Sequence, residues 1–222
     1  MRLSNRLGVL ITHIVAAGLV LFPAASAFSK MVPQFVPSLS ITEKYTDNYH
    51  QTRSNTKDEF TTIYNAGFSF GAMDRKNQLF FNYNPSYTDN LQRDENDSWN
   101  HTVQLNGQTW TSRQTRLFFS EQFTRSLDRT VTTNTFEKHD TNTASVGMVH
   151  NFGPKDSVGV NYRYSFDAYD NVNANEHTEH QPSVSLAYWF SPRFGINLDG
   201  SYEKTDYDFS NNDPKTWSGS VR

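Results

Sequence analysis

The sequence predicts an all-β chain, an antiparallel up-and-down transmembrane β-barrel with nine strands and the start of a tenth, and three observations predict it. Apolar and aromatic residues recur at every second position through one segment after another, which is the period of a strand and not the 3.6 of a helix. Short and long connectors alternate along the chain. A hydrophobic fraction of 36% is too low for a bundle of membrane helices, yet aromatics reach 14%. That mixture, set among many Ser, Thr and Asn, suits strands with one greasy and one wet face.

The N-terminus reads as an export signal. Arg2 and Arg6 supply a positive n-region, Gly8 to Phe22 an apolar h-region, and Ala25-Ser26-Ala27 a small-residue cleavage site. Residues 1–27 are therefore expected to be a cleavable signal peptide, 28–34 a linker and 35–222 the barrel. The apolar run is short for a membrane span and is closed by Pro23, so an uncleaved anchor is the lesser alternative. Removing two of the 20 basic residues leaves 18 against 23 acidic ones, a formal charge of −5, which offers nothing to nucleic acid. With no cysteine the chain has neither disulfides nor thiolate metal sites, nor a lipoprotein's lipid anchor.

The clearest strand runs Val158, Val160, Tyr162, Tyr164, Phe166 on one face and Gly159, Asn161, Arg163, Ser165, Asp167 on the other. A slip of one residue would exchange the faces. The pattern recurs at Leu79 to Tyr87, Pro182 to Phe190 and Phe194 to Tyr202, with Phe80 and Trp189 out of step, and more weakly at 35–46, 60–73, 98–111, 115–124 and 142–152. A last strand starts near Thr216. Tight turns are expected at Asp74 to Lys76, Ser112 to Gln114, Gly153 to Asp156 and Ser191 to Arg193. Polar loops are expected at 47–58, 88–97, 125–140, 167–177 and 204–215. Short turns at one end and long loops at the other are how outer-membrane barrels are built.

Aromatics gather near the ends of the greasy faces, at Tyr45, Tyr64, Tyr87, Trp99, Phe123, Phe152, Phe166, Phe190, Phe194 and Tyr202, where an amphipathic ring suits the headgroup level. Prolines 37, 85 and 182 fall inside strands and call for an edge or an irregularity. A soluble periplasmic β-sandwich would show the same alternation. Against it stand strands of ten or more residues and an order without Greek-key excursions.

Two segments, Pro37-Ser-Leu-Ser-Ile-Thr-Glu-Lys-Tyr-Thr-Asp-Asn48 and Asn82-Tyr-Asn-Pro-Ser-Tyr87, carry a resemblance, extended loosely by Arg116-Leu-Phe-Phe-Ser-Glu-Gln-Phe-Thr-Arg125. They resemble the outer-membrane β-barrel porins, including those associated with exosortase and exopolysaccharide gene clusters. The resemblance implies an outer-membrane barrel of a Gram-negative envelope and no catalytic residues. Members of that family are longer, and this sequence stops at Val221-Arg222 without a terminal aromatic. A barrel incomplete at its C-terminus is the expectation.

Candidate chemistry is sparse. On a strand, His177-Thr-Glu-His180 places 177 and 179 on one face and 180 on the other, so the histidines do not converge on a metal. The oxygen-rich stretch from Asp167 to Glu176 lacks the central Gly and spacing of an EF-hand, and a hydrated loop is preferred over calcium. His101 and His150 lie in greasy alternations and no Ser accompanies them as a nucleophile. The Asn-X-Ser/Thr matches at Asn96 and Asn100 are at chance level. No catalytic, cofactor or metal site is assigned.

What remains is the wet face, with Asn65, Ser69, Asn82, Asn84, Gln104, Asn106, Gln108, Gln122, Asn161, Arg163, Asn197 and Asp199 expected to line the barrel. These mostly uncharged groups suit water or neutral polar solutes such as sugars, with no ring of one charge to select ions. A plugged small barrel whose interior satisfies itself is the equal alternative. The expected partners are outer-membrane lipid, the barrel assembly machinery and a polar solute or polysaccharide. The leading function is a non-enzymatic porin-like or structural barrel, with a surface adhesin using the long loops as runner-up.

Overall fold

The computed structural model describes residues 32–47, 57–92, 97–129, 136–170, 176–208 and 213–222. The export signal at 1–27 and residues 28–31 of the linker lie outside the described residues. Ten strands follow in chain order: β1 (Val32–Thr46), β2 (Glu59–Met73), β3 (Asn77–Asn90), β4 (Ser98–Trp110), β5 (Thr115–Arg129), β6 (Phe136–Asn151), β7 (Ser157–Tyr169), β8 (His177–Ser191), β9 (Phe194–Tyr207) and β10 (Lys215–Val221). All belong to one sheet whose spatial order is the sequence order. Every neighbouring pair is antiparallel. The fold is the all-β, up-and-down arrangement that the alternation demands, with β1 and β10 at the two edges among the described residues.

A sandwich would bury its greasy face under a second sheet. Among the described residues there is no second sheet, and each strand packs on its neighbours in sequence. The apolar face is instead turned outward, with Val184 59% and Trp217 80% exposed and Val160, Tyr162 and Tyr188 exposed as well. That distribution is inverted from a water-soluble protein and suited to hydrocarbon.

The short turns are held by their own side chains. Asp74 Oδ1 accepts from the backbone N–H of Lys76 (2.6 Å) and Asn77 (2.7 Å). Ser112 Oγ accepts from Thr115 N–H at 2.9 Å, and Ser191 Oγ from Phe194 N–H at 3.1 Å. Such Asx and Ser caps reverse the chain in few residues. At the other end the strands overrun the expected loops. β5 reaches Arg129 and β6 starts at Phe136, so most of the loop expected at 125–140 is strand, and β7, β8 and β9 likewise extend into 167–177 and 204–215. Polar composition misled the reading there, because strand that projects past the greasy belt is polar on both faces. β1, too, starts at Val32, ahead of Phe35.

The prolines fall where ladders lapse. Pairing between β2 and β3 skips the positions opposite Asn84 and Pro85, and pairing between β8 and β9 skips Gln181 and Pro182, as the missing N–H requires. Pro33 and Pro37 lie on edge strand β1.

Aromatic rings mark two levels on the outward face. Toward the long loops, Tyr64 stacks on Tyr87, while Tyr87 packs tilted against Trp99 and Tyr202 against Trp217 (4.5 Å between centroids). Toward the short turns, Phe152, Tyr188, Phe190 and Phe194 form a second group. Trp99 lies two residues beyond His101, the partner of Arg125, whereas Trp217 pairs with Tyr202, which stands level with Pro182 across the lapse in the β8–β9 ladder, and the row continues through Tyr162 and Val146 to Phe119. The upper girdle thus shifts about eight residues along β5 while crossing about six strand spacings, ~26 Å against ~29 Å, a strand tilt of about 40°. That is the inclination of strands in transmembrane barrels.

Candidate functional site

The register sorts side chains onto two faces, and the face opposite the aromatic girdles is concave, holding cavities of about 460 and 370 Å³. The register puts Asn65, Ser69, Asn82, Asn84, Gln104, Asn106, Gln108, Gln122, Asn161, Arg163, Asn197 and Asp199 on one face of the sheet, the register shift between Trp189 and Ser191 lying beyond the last of them. Asn65 donates to Ser40 Oγ (3.4 Å), and Ser69 pairs with Asn82, which pairs with Gln104. Gln104 Nε2 donates to Gln122 Oε1 at 3.2 Å. These two, with Asn106, Ser120, Glu121, Thr141 and Thr143, line the smaller cavity, although the Glu121 side chain belongs by register to the outward face, where it accepts from Asn142 Nδ2 at 3.0 Å. Gln108 accepts from Arg116 Nη1 at 3.2 Å.

Asn84 fills the space beside Gly67, where an added Cβ would come within 2.4 Å of its Oδ1. Gly67 therefore has a packing reason as well as a place on the strand. Asn161 and Asp199 line the larger cavity. Asp199 is held by Arg222 Nη2 at 2.8 Å and by Ser220 at 3.2 Å, while Asn197 exchanges two backbone bonds with Arg222.

Toward the long loops, β6 to β9 hold a group that the sequence reading missed. Asp167 lies between two histidines, its Oδ1 3.6 Å from His139 Nε2 and its Oδ2 3.8 Å from His177 Nε2. Glu179 Oε1 is 3.5 Å from His177 Nε2, and its other oxygen accepts from Ser165 at 2.7 Å. His139 stacks on Tyr169 at 4.3 Å. One row away, Gln181 donates to Glu203 (2.9 Å) with Arg163 Nη2 at 3.9 Å. The lining is thus uncharged through the middle of β2 to β5 and titratable on upper β6 to β9. Sequence reasoning gave faces to Asp167, His177 and Glu179 but overlooked their meeting with His139, because 125–140 was expected to be a loop, where parity has no meaning.

His180 faces the other side, bonded to Tyr162 Oη at 2.6 Å. The two histidines of His177-Thr-Glu-His180 therefore stand on opposite faces of β8. Residues 171–175 of the oxygen-rich stretch lie outside the described residues, and Asp167 belongs to strand β7. Among the described residues no group of three or more His, Asp or Glu is arranged to hold a metal ion. His101 bonds Tyr83 Oη and His150 bonds Thr115 Oγ1, each at 2.9 Å. Both sit on the outward face, and neither hydroxyl partner is a serine. Asn96 lies outside the described residues, and Asn100 Oδ1 accepts from Leu127 N–H at 3.0 Å.

No protein-family model and no curated protein matches this sequence. Among solved structures, the chain is similar to the outer membrane channel DcaP of Acinetobacter baumannii, with a TM-score of 0.55 at 13% identity. The match covers 84% of this chain and 60% of that one, so the chain spans about three-fifths of the channel it resembles. The likeness is one of fold.

Proposed function

We infer that this chain is the wall of a porin-like barrel in the outer membrane, through which neutral polar solutes cross along its concave face. The observation that carries this is the two-faced sheet itself: an apolar face exposed between aromatic levels, and a polar face enclosing hollows of 460 and 370 Å³. Hydrocarbon accepts the first face and water the second. The likeness in fold to an outer membrane channel supports the same reading.

The lining residues named above are the solute-facing set in this reading, and no catalytic group is assigned. The export signal at residues 1–27 would deliver the chain to the envelope. The resemblance to barrels associated with exopolysaccharide clusters makes surface polysaccharide, or pieces of it, the candidate cargo.

Membrane fractionation followed by gel migration with and without boiling tests the location and the barrel, and conductance in planar bilayers tests the channel. Outer-membrane recovery with a heat-dependent shift and discrete current steps is expected. A soluble periplasmic protein that migrates identically before and after heating would overturn the reading.

A further inference from the structure

We propose that the larger concave cavity is a binding site for a linear oligosaccharide, built on Phe118 and a row of hydroxyl groups; this rests on the reading of the concave face as solute-facing. The cavity, about 460 Å³, is of small-molecule size. Along it runs a cross-strand row of lining residues, Phe118, Asn161, Ser183, Ser201 and Ser218, with Gly147 completing the row beneath the Phe118 ring, carried by six consecutive strands. At ~4.8 Å between strands the row is about 24 Å long, a strip and not a point.

Three features select the ligand class. Phe118 is the one aromatic ring among the residues that line the cavity. Its ring fills the space over Gly147, where an added Cβ would come within 2.3 Å of Cζ, so glycine at 147 is what lets the ring lie there. An aromatic surface beside polar groups fits the C–H face of a sugar ring, whose hydroxyls project at the edge.

The serines supply groups that both donate and accept, which polyols need and ions do not. Ser201 and Ser218 bond each other at 2.8 Å and can turn toward a ligand. Asn161 Oδ1 is buried with no hydrogen-bond partner, an acceptor ready for a hydroxyl donor. The charge in this lining, Asp199, is already matched by Arg222, and the Arg116 guanidinium that lies 5.5 Å over the Phe118 ring donates to Gln108.

The test uses the full folded chain and maltohexaose as probe, with sorbitol as a polyol that has no ring. Binding is read by isothermal titration in detergent and separately by block of the bilayer current. Saturable maltohexaose binding is expected, with sorbitol inert. Phe118→Ala should weaken it about ten-fold, the equivalent of one aromatic contact of about 1.4 kcal/mol. Phe118→Trp should retain it, and Arg113→Ala, in the exposed short turn between β4 and β5, should leave it unchanged.

Heat-dependent migration verifies that each variant folds. Conductance without maltohexaose binding, or binding that Phe118→Ala leaves intact, overturns the site and spares the channel. Binding that follows Phe118 in a protein that conducts nothing overturns the channel and spares the site.

Discussion

The two halves of the concave face are made from the same kind of strand and yet differ in chemistry. Mid-strand β2 to β5 present amides and hydroxyls bonded to one another, as Gln104 to Gln122 and Asn65 to Ser40. Upper β6 to β9 present Asp167 between His139 and His177, with Glu179 and Glu203 alongside. Amides keep their hydrogen-bonding character at any pH, whereas carboxylates and imidazoles respond to protons and to passing ions. A solute following this face would meet a charged mouth on one side and a neutral wall on the other.

Both halves must face water for that contrast to matter, so the sharpest way to break it is to move one charge through the sheet. Val160→Arg places a guanidinium in the greasy belt and should lower folding stability in lipid vesicles by about 2–4 kcal/mol, whereas Asn161→Arg should fold nearly as the parent does. A larger loss for Asn161→Arg than for Val160→Arg in urea titrations would mean that the faces are assigned the wrong way round.

Next in size is the charged mouth itself. Asp167→Asn with Glu179→Gln should lower the cation-over-anion permeability ratio by about two-fold or more, read from reversal potentials in a salt gradient. An unchanged ratio would place the mouth off the conduction path.

On the neutral side, Gln104→Leu with Gln122→Leu removes both partners of one amide bond. A change of about 1 kcal/mol or less in unfolding free energy is expected, with ion selectivity intact. A shift in reversal potential from this pair would erase the distinction between the halves.

The smallest effect is reserved for Lys204, which lies outward just past the Tyr202–Trp217 level and pairs with Asp206 at 2.5 Å. The hydrogen bond to Asp206 holds its ammonium above the ordinary lysine range. Whatever stability the pair adds is therefore present at neutral pH and fades only as alkali passes that raised value. Because the side chain is more than a third exposed and its charge is screened by solvent, Lys204→Gln should not move the heat-shift temperature measurably at pH 7. A clear drop would show that the pair is shielded by something bound at the rim.

Much of this was legible beforehand. The parity of Val158 to Phe166 and the tight turns at Asp74, Ser112 and Ser191 are local patterns, and both reappear in the structure. Strand ends toward the long loops were not legible, because past the greasy belt alternation has nothing apolar to display. The same blindness hid His139, and with it the approach of His139 and His177 to Asp167, for the two histidines are 38 positions apart in sequence and come together only across β6, β7 and β8.

The sequence by itself determined that the chain alternates, where it turns and which side chains share a face, since these follow from backbone geometry within a few residues. Only the tertiary structure decided which residues stand opposite one another. Phe118 finding its seat on Gly147, and Asp167 its place between two histidines, depend on register, which is set by many cross-strand contacts acting together and by no single segment.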